Sequence, residues 1–322
     1  MSEARALRVA ILDDIHHAWE ATDGVRRLRA RAESVRIFTG PFGGAADLAG
    51  FTALVANRER TRFDRALLNA LPDLKIIAQT GNHAYHIDLA AAEARGIIVA
   101  KATGGYSIGA AELAVGMMIA LLRQIPASDR AMKAGAWATP MTRVLHGKML
   151  GIVGLGHVGR HVARITAAFG MRILAWSPRL DHAAAHAAGA EPAELDDLLA
   201  ACDIVSIHAT LSPQSRGLID ARRLGLMQRS AILINTARGA IVDEAALVEA
   251  LAAGRIAGAG LDVFTQEPLP PDHPLRHLPN VVLTPHLGWP TDEAYADFAR
   301  DAADALIAWL EGRAIKRFES GH

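Results

Sequence analysis

Cysteine is almost missing from this sequence: Cys202 is the only one in 322 residues. A single thiol makes neither an internal disulfide nor a cysteine-based zinc site, so a reducing cytoplasm is the expected compartment. There is no excess of charge, because 34 Lys and Arg stand against 34 Asp and Glu. That balance argues against a general nucleic-acid binder. Long hydrophobic runs are missing too. The longest, Leu113 to Leu122, has 10 residues between Glu112 and Arg123, whereas a bilayer span needs roughly 20. It reads as a buried helix. The strand-like Val9-Ala10-Ile11-Leu12 follows Met1 with no extended apolar stretch that would direct export. Neither a short-period repeat nor a low-complexity tract occurs, and Arg26, Arg27, Arg29 and Arg31 read as a solvated helix face.

What is present points to a packed globular protein, 51% hydrophobic and 21% charged, long enough for two domains. Short β-branched runs alternate with Ala- and Leu-rich stretches at helical spacing, a pattern for parallel strands with crossover helices. The expected class is α/β, with two Rossmann-like, doubly wound domains. In the first domain, strands are expected at Val9–Leu12, Val35–Phe38, Ala53–Asn57, Leu74–Gln79 and Ile97–Ala100. A glycine break at Thr103-Gly104-Gly105 then precedes a helix from about Gly109 to Arg123. Six further strands are expected at Met149–Val153, Arg172–Trp176, Asp203–His208, Ala231–Asn235, Ala257–Val263 and Val281–Thr284. A last helix, Asp297 to Glu311, is expected to return to the first domain. The resulting boundaries are 1–104 plus 299–322 for one domain and 105–298 for the other.

Gly154-Leu155-Gly156-His157-Val158-Gly159 follows the strand Met149–Val153 and opens an amphipathic helix. Glycines at a strand-to-helix turn let a pyrophosphate approach backbone N–H groups, so the motif reads as a dinucleotide site. At the end of the next strand, in Trp176-Ser177-Pro178-Arg179, Ser177 stands where a ribose-binding acid is expected. Without the acid, and with Arg179 nearby, the segment favours NADP. NAD held through other contacts is the alternative.

Polar residues follow three late strands: Asn235-Thr236-Ala237-Arg238-Gly239, Leu261-Asp262 leading to Gln266-Glu267-Pro268, and Thr284-Pro285-His286-Leu287-Gly288. With the glycine motif, and with Lys75–Asp88, Ala111-Glu112-Leu113, Gly147-Lys148, His208–Gly217 and Ile234–Leu247, these segments resemble the D-2-hydroxyacid dehydrogenase family over nearly the whole chain. The resemblance implies reduction of 2-keto acids to D-2-hydroxy acids with a nicotinamide cofactor. Such a reaction develops negative charge on a carbonyl oxygen and needs a proton donor and a fixed cation. The resemblance makes His286 that donor, Glu267 its orienting partner, and Arg238 the residue that holds the substrate carboxylate and carbonyl. It puts Asp262 on the carboxamide side of the nicotinamide, with the Ala237 backbone and Gly288 nearby. His208, Ala209, Thr236 and the Ser177–Arg179 segment would line the cofactor. For His208 a plain strand-end histidine is as good a reading, and Cys202 reads as a small packed residue.

The resemblance also makes Gln79-Thr80-Gly81-Asn82-His83 the loop that binds the substrate carboxylate, with Asn82 and His83 on the substrate. His83 replaces a usual glycine, so it either enters the pocket or points to solvent. Arg60, beyond the third strand, binds a distal anion or is a salt-bridged surface arginine. Trp289 narrows the pocket or belongs to core or interface, and Trp137 is a candidate to reach a partner subunit. A homodimer whose domains close on the ligand is expected, with glyoxylate or hydroxypyruvate as substrate types and no metal. The rival readings are a nucleotide-sensing corepressor-like protein without turnover and a formate or phosphite dehydrogenase relative.

Overall fold

The computed structural model describes residues 6–104 and 108–320. The chain divides into two compact units, Met1–Tyr106 with Pro290–His322, and Ser107–Trp289. The expected crossing points of 104 and 299 differ from these bounds, by most at the return. The reason is the helix Asp292–Leu310, which starts earlier than the expected Asp297. Thr291 caps it by accepting from the Ala294 N–H, and Asp292 and Glu293 complement the dipole of its first turn.

In the first unit, alternating apolar runs form β1 (Arg8–Ile11), β2 (Ser34–Ile37), β3 (Ala53–Ala56), β4 (Ile76–Thr80) and β5 (Ile98–Ala102). All pair in parallel in the order β2-β1-β3-β4-β5. The strands β3 and β4 are buried at every position, as expected for a sheet covered on both faces. Arg26 pairs with Asp23, Arg27 with Asp304, Arg29 with Glu20 and Arg31 with Glu311, so the predicted arginine face is a set of exposed ion pairs. Gly105, in the predicted break, lies outside the described residues.

The second unit carries β6 (Met149–Val153), β7 (Arg172–Trp176), β8 (Glu191–Pro192), β9 (Ile204–Ile207), β10 (Ile232–Asn235), β11 (Gly258–Leu261) and β12 (Val281–Leu283). Their order is β12-β11-β10-β9-β6-β7-β8, again parallel. The reversal of strand order falls between β6 and β9, where doubly wound sheets bind ligands beyond the carboxyl ends. Six strands are as expected to within a few residues. The seventh, β8, is an edge strand of two residues and too short to show a period. Cys202 is wholly buried in this unit's core, and burial pushes its thiol up to about 12, so it is a packed apolar residue. The predicted apolar run is the helix Ile108–Leu122, and among the described residues no single helix is long and apolar enough to cross a membrane.

Candidate active site

The glycine turn leaves β6 at its carboxyl end. Gly154 has φ +104°, and a Cβ there would stand 2.5 Å from the Ala209 nitrogen, so the turn and the β9 loop approach as only glycine permits. A Cβ on Gly159 would stand 2.3 Å from the Gly154 oxygen. A Cβ on Gly156 would meet nothing within 4 Å. One glycine therefore serves the turn and another the packing of helix on strand, while the middle one leaves open space at the N-terminus of the helix His157–Ala168. No side chain caps that terminus. These are the features a pyrophosphate requires. His157 is exposed and Val158 half-buried in the helix's first turn. Ser177 serves the turn directly, its Oγ accepting from the Leu155 N–H at 2.9 Å, and Arg179 beyond Pro178 is exposed.

His208 stands just beyond the carboxyl end of β9 and is bonded within its own segment. Its Nε2 lies 2.8 Å from Ser206 Oγ, and burial pushes its imidazole down to about 4. Across the sheet, buried Asn235 builds the turn after β10: its Oδ1 accepts from the Ala237 N–H and its Nδ2 donates to the Arg238 carbonyl. This Asx turn is a structuring role that the sequence reading left unassigned. The Ala237 carbonyl accepts from Arg238 Nη1 at 2.7 Å, so both backbone groups of Ala237 are engaged within the turn. The Thr236 hydroxyl next to it is buried with no hydrogen-bond partner. A buried hydroxyl in this state awaits a ligand or water, so this loop, like the glycine turn, fits a nicotinamide dinucleotide.

Beyond β11 and β12, Glu267 and His286 meet, with His286 Nδ1 2.7 Å from Glu267 Oε2. The other Glu267 oxygen accepts from the Phe264 N–H at 2.9 Å, which fixes the carboxylate. Burial raises the Glu267 carboxyl, but the His286 hydrogen bond, the Phe264 N–H and the charges of His286 and Arg238 outweigh it and leave it below its ordinary value. Arg238, Glu267 and His286 are thus brought together electrically within one unit.

Asp262 holds this arrangement in place. Its side chain is fully buried; Oδ1 accepts from the Thr284 hydroxyl and the Leu287 N–H, and Oδ2 from the Gly288 N–H. The His286 N–H donates to the Asp262 carbonyl at 2.9 Å. His286 itself has φ +57°, a left-handed conformation that costs a residue with a Cβ, and the Asp262 clamp on both sides sustains it. Asp262 therefore ties the end of β11 to the 284–288 turn. Gly288 belongs to the same clamp, since a Cβ there would lie 3.2 Å from Asp262 Oδ2.

In the first unit, Gly81 and Asn82 follow β4, with Asn82 exposed. His83 neither hangs in solvent nor stands alone: Nε2 lies 2.7 Å from Glu59 Oε2 and the ring stacks on Tyr85. Arg60 donates to the Asp13 carbonyl at 3.1 Å and lies 3.4 Å from His16 Nε2. Trp289 is half-buried, whereas Trp137 is 83% exposed.

Comparison with known proteins bears directly on this arrangement. Residues 115–288, more than half of the chain, match the profile described as D-isomer specific 2-hydroxyacid dehydrogenase, NAD binding domain. The chain belongs to that family. Similar proteins include D-3-phosphoglycerate dehydrogenase of Archaeoglobus fulgidus, 39% identical over 261 residues, covering 80% of this chain and 50% of that one. D-3-phosphoglycerate dehydrogenase of Mycobacterium tuberculosis is 40% identical over 260 residues, covering 80% and 49%. The chain thus spans about half the length of the curated relatives it matches. Among solved structures, phosphoglycerate oxidoreductase of Vibrio cholerae superposes with a TM-score of 0.84 at 31% identity, over 95% of this chain and 99% of the other. D-lactate dehydrogenase of Escherichia coli gives 0.86 at 25% identity, over 97% and 99%.

Proposed function

We propose that this dehydrogenase-family chain is a reductase of small 2-keto acids, with glyoxylate or hydroxypyruvate as the substrate type and D-2-hydroxy acids as products. The observation that carries the reading is the Glu267–His286 pair at 2.7 Å, with the Arg238 charge acting on it. Gly154, Gly156, His157, Val158 and Gly159 would hold the pyrophosphate, and His208, Ala209, Thr236 and Ala237 would line the rest of the cofactor. When bound, the nicotinamide cofactor supplies the hydride. Glu267 holds His286 by Nδ1, leaving Nε2 to give its proton to the carbonyl oxygen as negative charge develops there. Arg238 stabilises that charge and orients the substrate carboxylate through its planar fork. Asp262 keeps the His286 turn in its left-handed conformation. In the first unit, the Gly81–Asn82 backbone is the candidate anchor for the substrate carboxylate.

A phosphorylated 2-keto acid is the second reading, supported by the names of the relatives; Arg60, with His16 beside it, is then the candidate for the distal anion. Exposed Ile125, Met132, Trp137, Met141 and Val144 support a homodimer that covers them. The single buried thiol supports a cytoplasmic setting.

Absence of an acid at Ser177 and the exposed Arg179 support NADP. The test follows oxidation of NADPH and NADH by the purified protein with glyoxylate, hydroxypyruvate and phosphohydroxypyruvate. Arg179→Ala is expected to raise KM for NADPH about tenfold, the loss of one charge-assisted hydrogen bond, and to leave KM for NADH within about twofold. Equal effects on both cofactors would remove Arg179 from 2′-phosphate recognition.

A further inference from the structure

Residues 265–268, the stretch that carries Glu267, are all exposed, so packing in a core does not set their course. What precedes them is held tightly. Gly239 follows Arg238, and a Cβ on it would stand 2.0 Å from the Phe264 carbonyl carbon and 2.5 Å from the Thr265 nitrogen. The backbone beside Arg238 therefore lies directly against the Phe264–Thr265 peptide, an approach only glycine permits. Two successive N–H groups here donate to two different carboxylates. Phe264 donates to Glu267 Oε1 at 2.9 Å, and Thr265 donates to Glu244 Oε2 at 3.0 Å.

Glu244 is the first residue of the helix Glu244–Ala252, behind the cap Asp243. An acid at that position ordinarily serves the helix dipole and needs no partner. Both oxygens of Glu244 are nevertheless engaged outside the helix, because Oε1 lies 3.4 Å from His273 Nε2. His273 is presented by a fixed turn of its own. Its Nδ1 accepts from the Leu275 N–H at 3.3 Å, and its backbone N–H donates to the Pro270 carbonyl at 3.2 Å. With Nδ1 accepting, the neutral ring carries its hydrogen on Nε2, the nitrogen beside Glu244. The segment 238–244 thus has Arg238 at one end and Glu244 at the other, and it holds the Phe264–Thr265 peptide through Gly239 and Glu244.

We propose that Glu244, oriented by His273, is a positioning residue of the active site: it fixes the Thr265 N–H so that Glu267 is delivered to His286 Nδ1. This rests on the reductase reading, because it takes the Glu267–His286 pair as the source of the proton. Glu244 acts through Glu267 and not on the substrate. Without its anchor the exposed stretch gains freedom, and a shift of about 1 Å in a group that sets catalytic geometry can cost about 10²-fold in rate.

The experiment measures kcat and KM of the whole chain with glyoxylate and hydroxypyruvate for wild type, Glu244→Gln and Glu244→Asp, and repeats the last change in a Glu267→Ala background. The role requires reach more than charge. Glu244→Gln keeps an acceptor at the same distance and is expected to hold kcat within about threefold of wild type. Glu244→Asp keeps the charge and the acid at the helix start, which protects folding, but draws the carboxylate back by one methylene. It is expected to lower kcat about tenfold, the loss of one charge-assisted hydrogen bond, with KM within about twofold. In the Glu267→Ala background the same change should alter kcat by less than about twofold, since the residue it acts through is gone. Wild-type kcat in Glu244→Asp, a loss in Glu244→Gln alone, or a tenfold loss that persists without Glu267 would each overturn the positioning role and leave the reductase reading standing. A wild type that reduces neither acid would overturn both.

Discussion

His286→Ala is expected to lose about 10²- to 10⁴-fold in kcat, the usual contribution of a positioned general acid. Binding of reduced cofactor should stay within a few-fold of wild type, because the proposed cofactor contacts lie on the turns after β6, β7, β9 and β10. The prediction is checked by steady-state kinetics with a 2-keto acid together with a fluorescence titration of the cofactor. A variant of near wild-type turnover would take His286 out of the reaction. Glu267→Gln should lose less, because an amide can still orient the ring but carries no charge to favour the imidazolium. The sign of the pH dependence follows from Glu267. Its carboxyl lies below the ordinary value in the folded chain, so the stabilisation from its ionised form is present above that ordinary value. It is lost as the pH falls through the lowered one.

Asp262→Ala is expected to have the largest effect on stability. The change strands the Leu287 and Gly288 N–H groups and the Thr284 hydroxyl, each of which now donates to a fully buried carboxylate. Leaving a buried donor unpaired costs about 1–3 kcal/mol; the Gly288 N–H is buried and the other two donors part-buried, so a loss of about 3 kcal/mol is expected. For a unit of this size that lowers Tm by roughly 6–12 °C. Turnover should fall with it, because the left-handed backbone at His286 loses its support. Thermal unfolding and kcat measured on the same preparation test both halves. Asp262→Asn keeps one acceptor oxygen and should lie between. A variant with wild-type Tm and kcat would show that the 284–288 turn holds itself.

The residues that bear steric or periodic constraints were readable in the sequence. Gly154 and Gly159 are required because a Cβ would collide with backbone, and the motif spacing carries that requirement openly. Strands such as Met149–Val153 and Arg172–Trp176 stood out because buried parallel strands are continuous apolar runs. Other features leave no such mark. The edge strand β8 is two residues long and has no pattern to detect. The start of the helix Asp292–Leu310 carries a capping signal, Thr291 followed by Asp292 and Glu293, five residues before the expected Asp297.

Direction of side chains was the harder loss. Spacing places Asp262 at a strand end without telling that three donors from residues 284–288 converge on its carboxylate. Glu59 gave no signal as the partner of His83, because only the pairing of β3 with β4 brings residues 24 positions apart into contact. Asn235 could have been found by its place two residues before Ala237, the spacing of an Asx turn.

The most direct test of the central claim is the configuration of the product. Purified protein is incubated with reduced cofactor and a prochiral acid such as hydroxypyruvate, and the hydroxy acid formed is resolved on a chiral phase. The account predicts the D-isomer alone, formed in step with cofactor oxidation and abolished in His286→Ala. The L-isomer, a racemate, or cofactor binding without any hydroxy acid would contradict it.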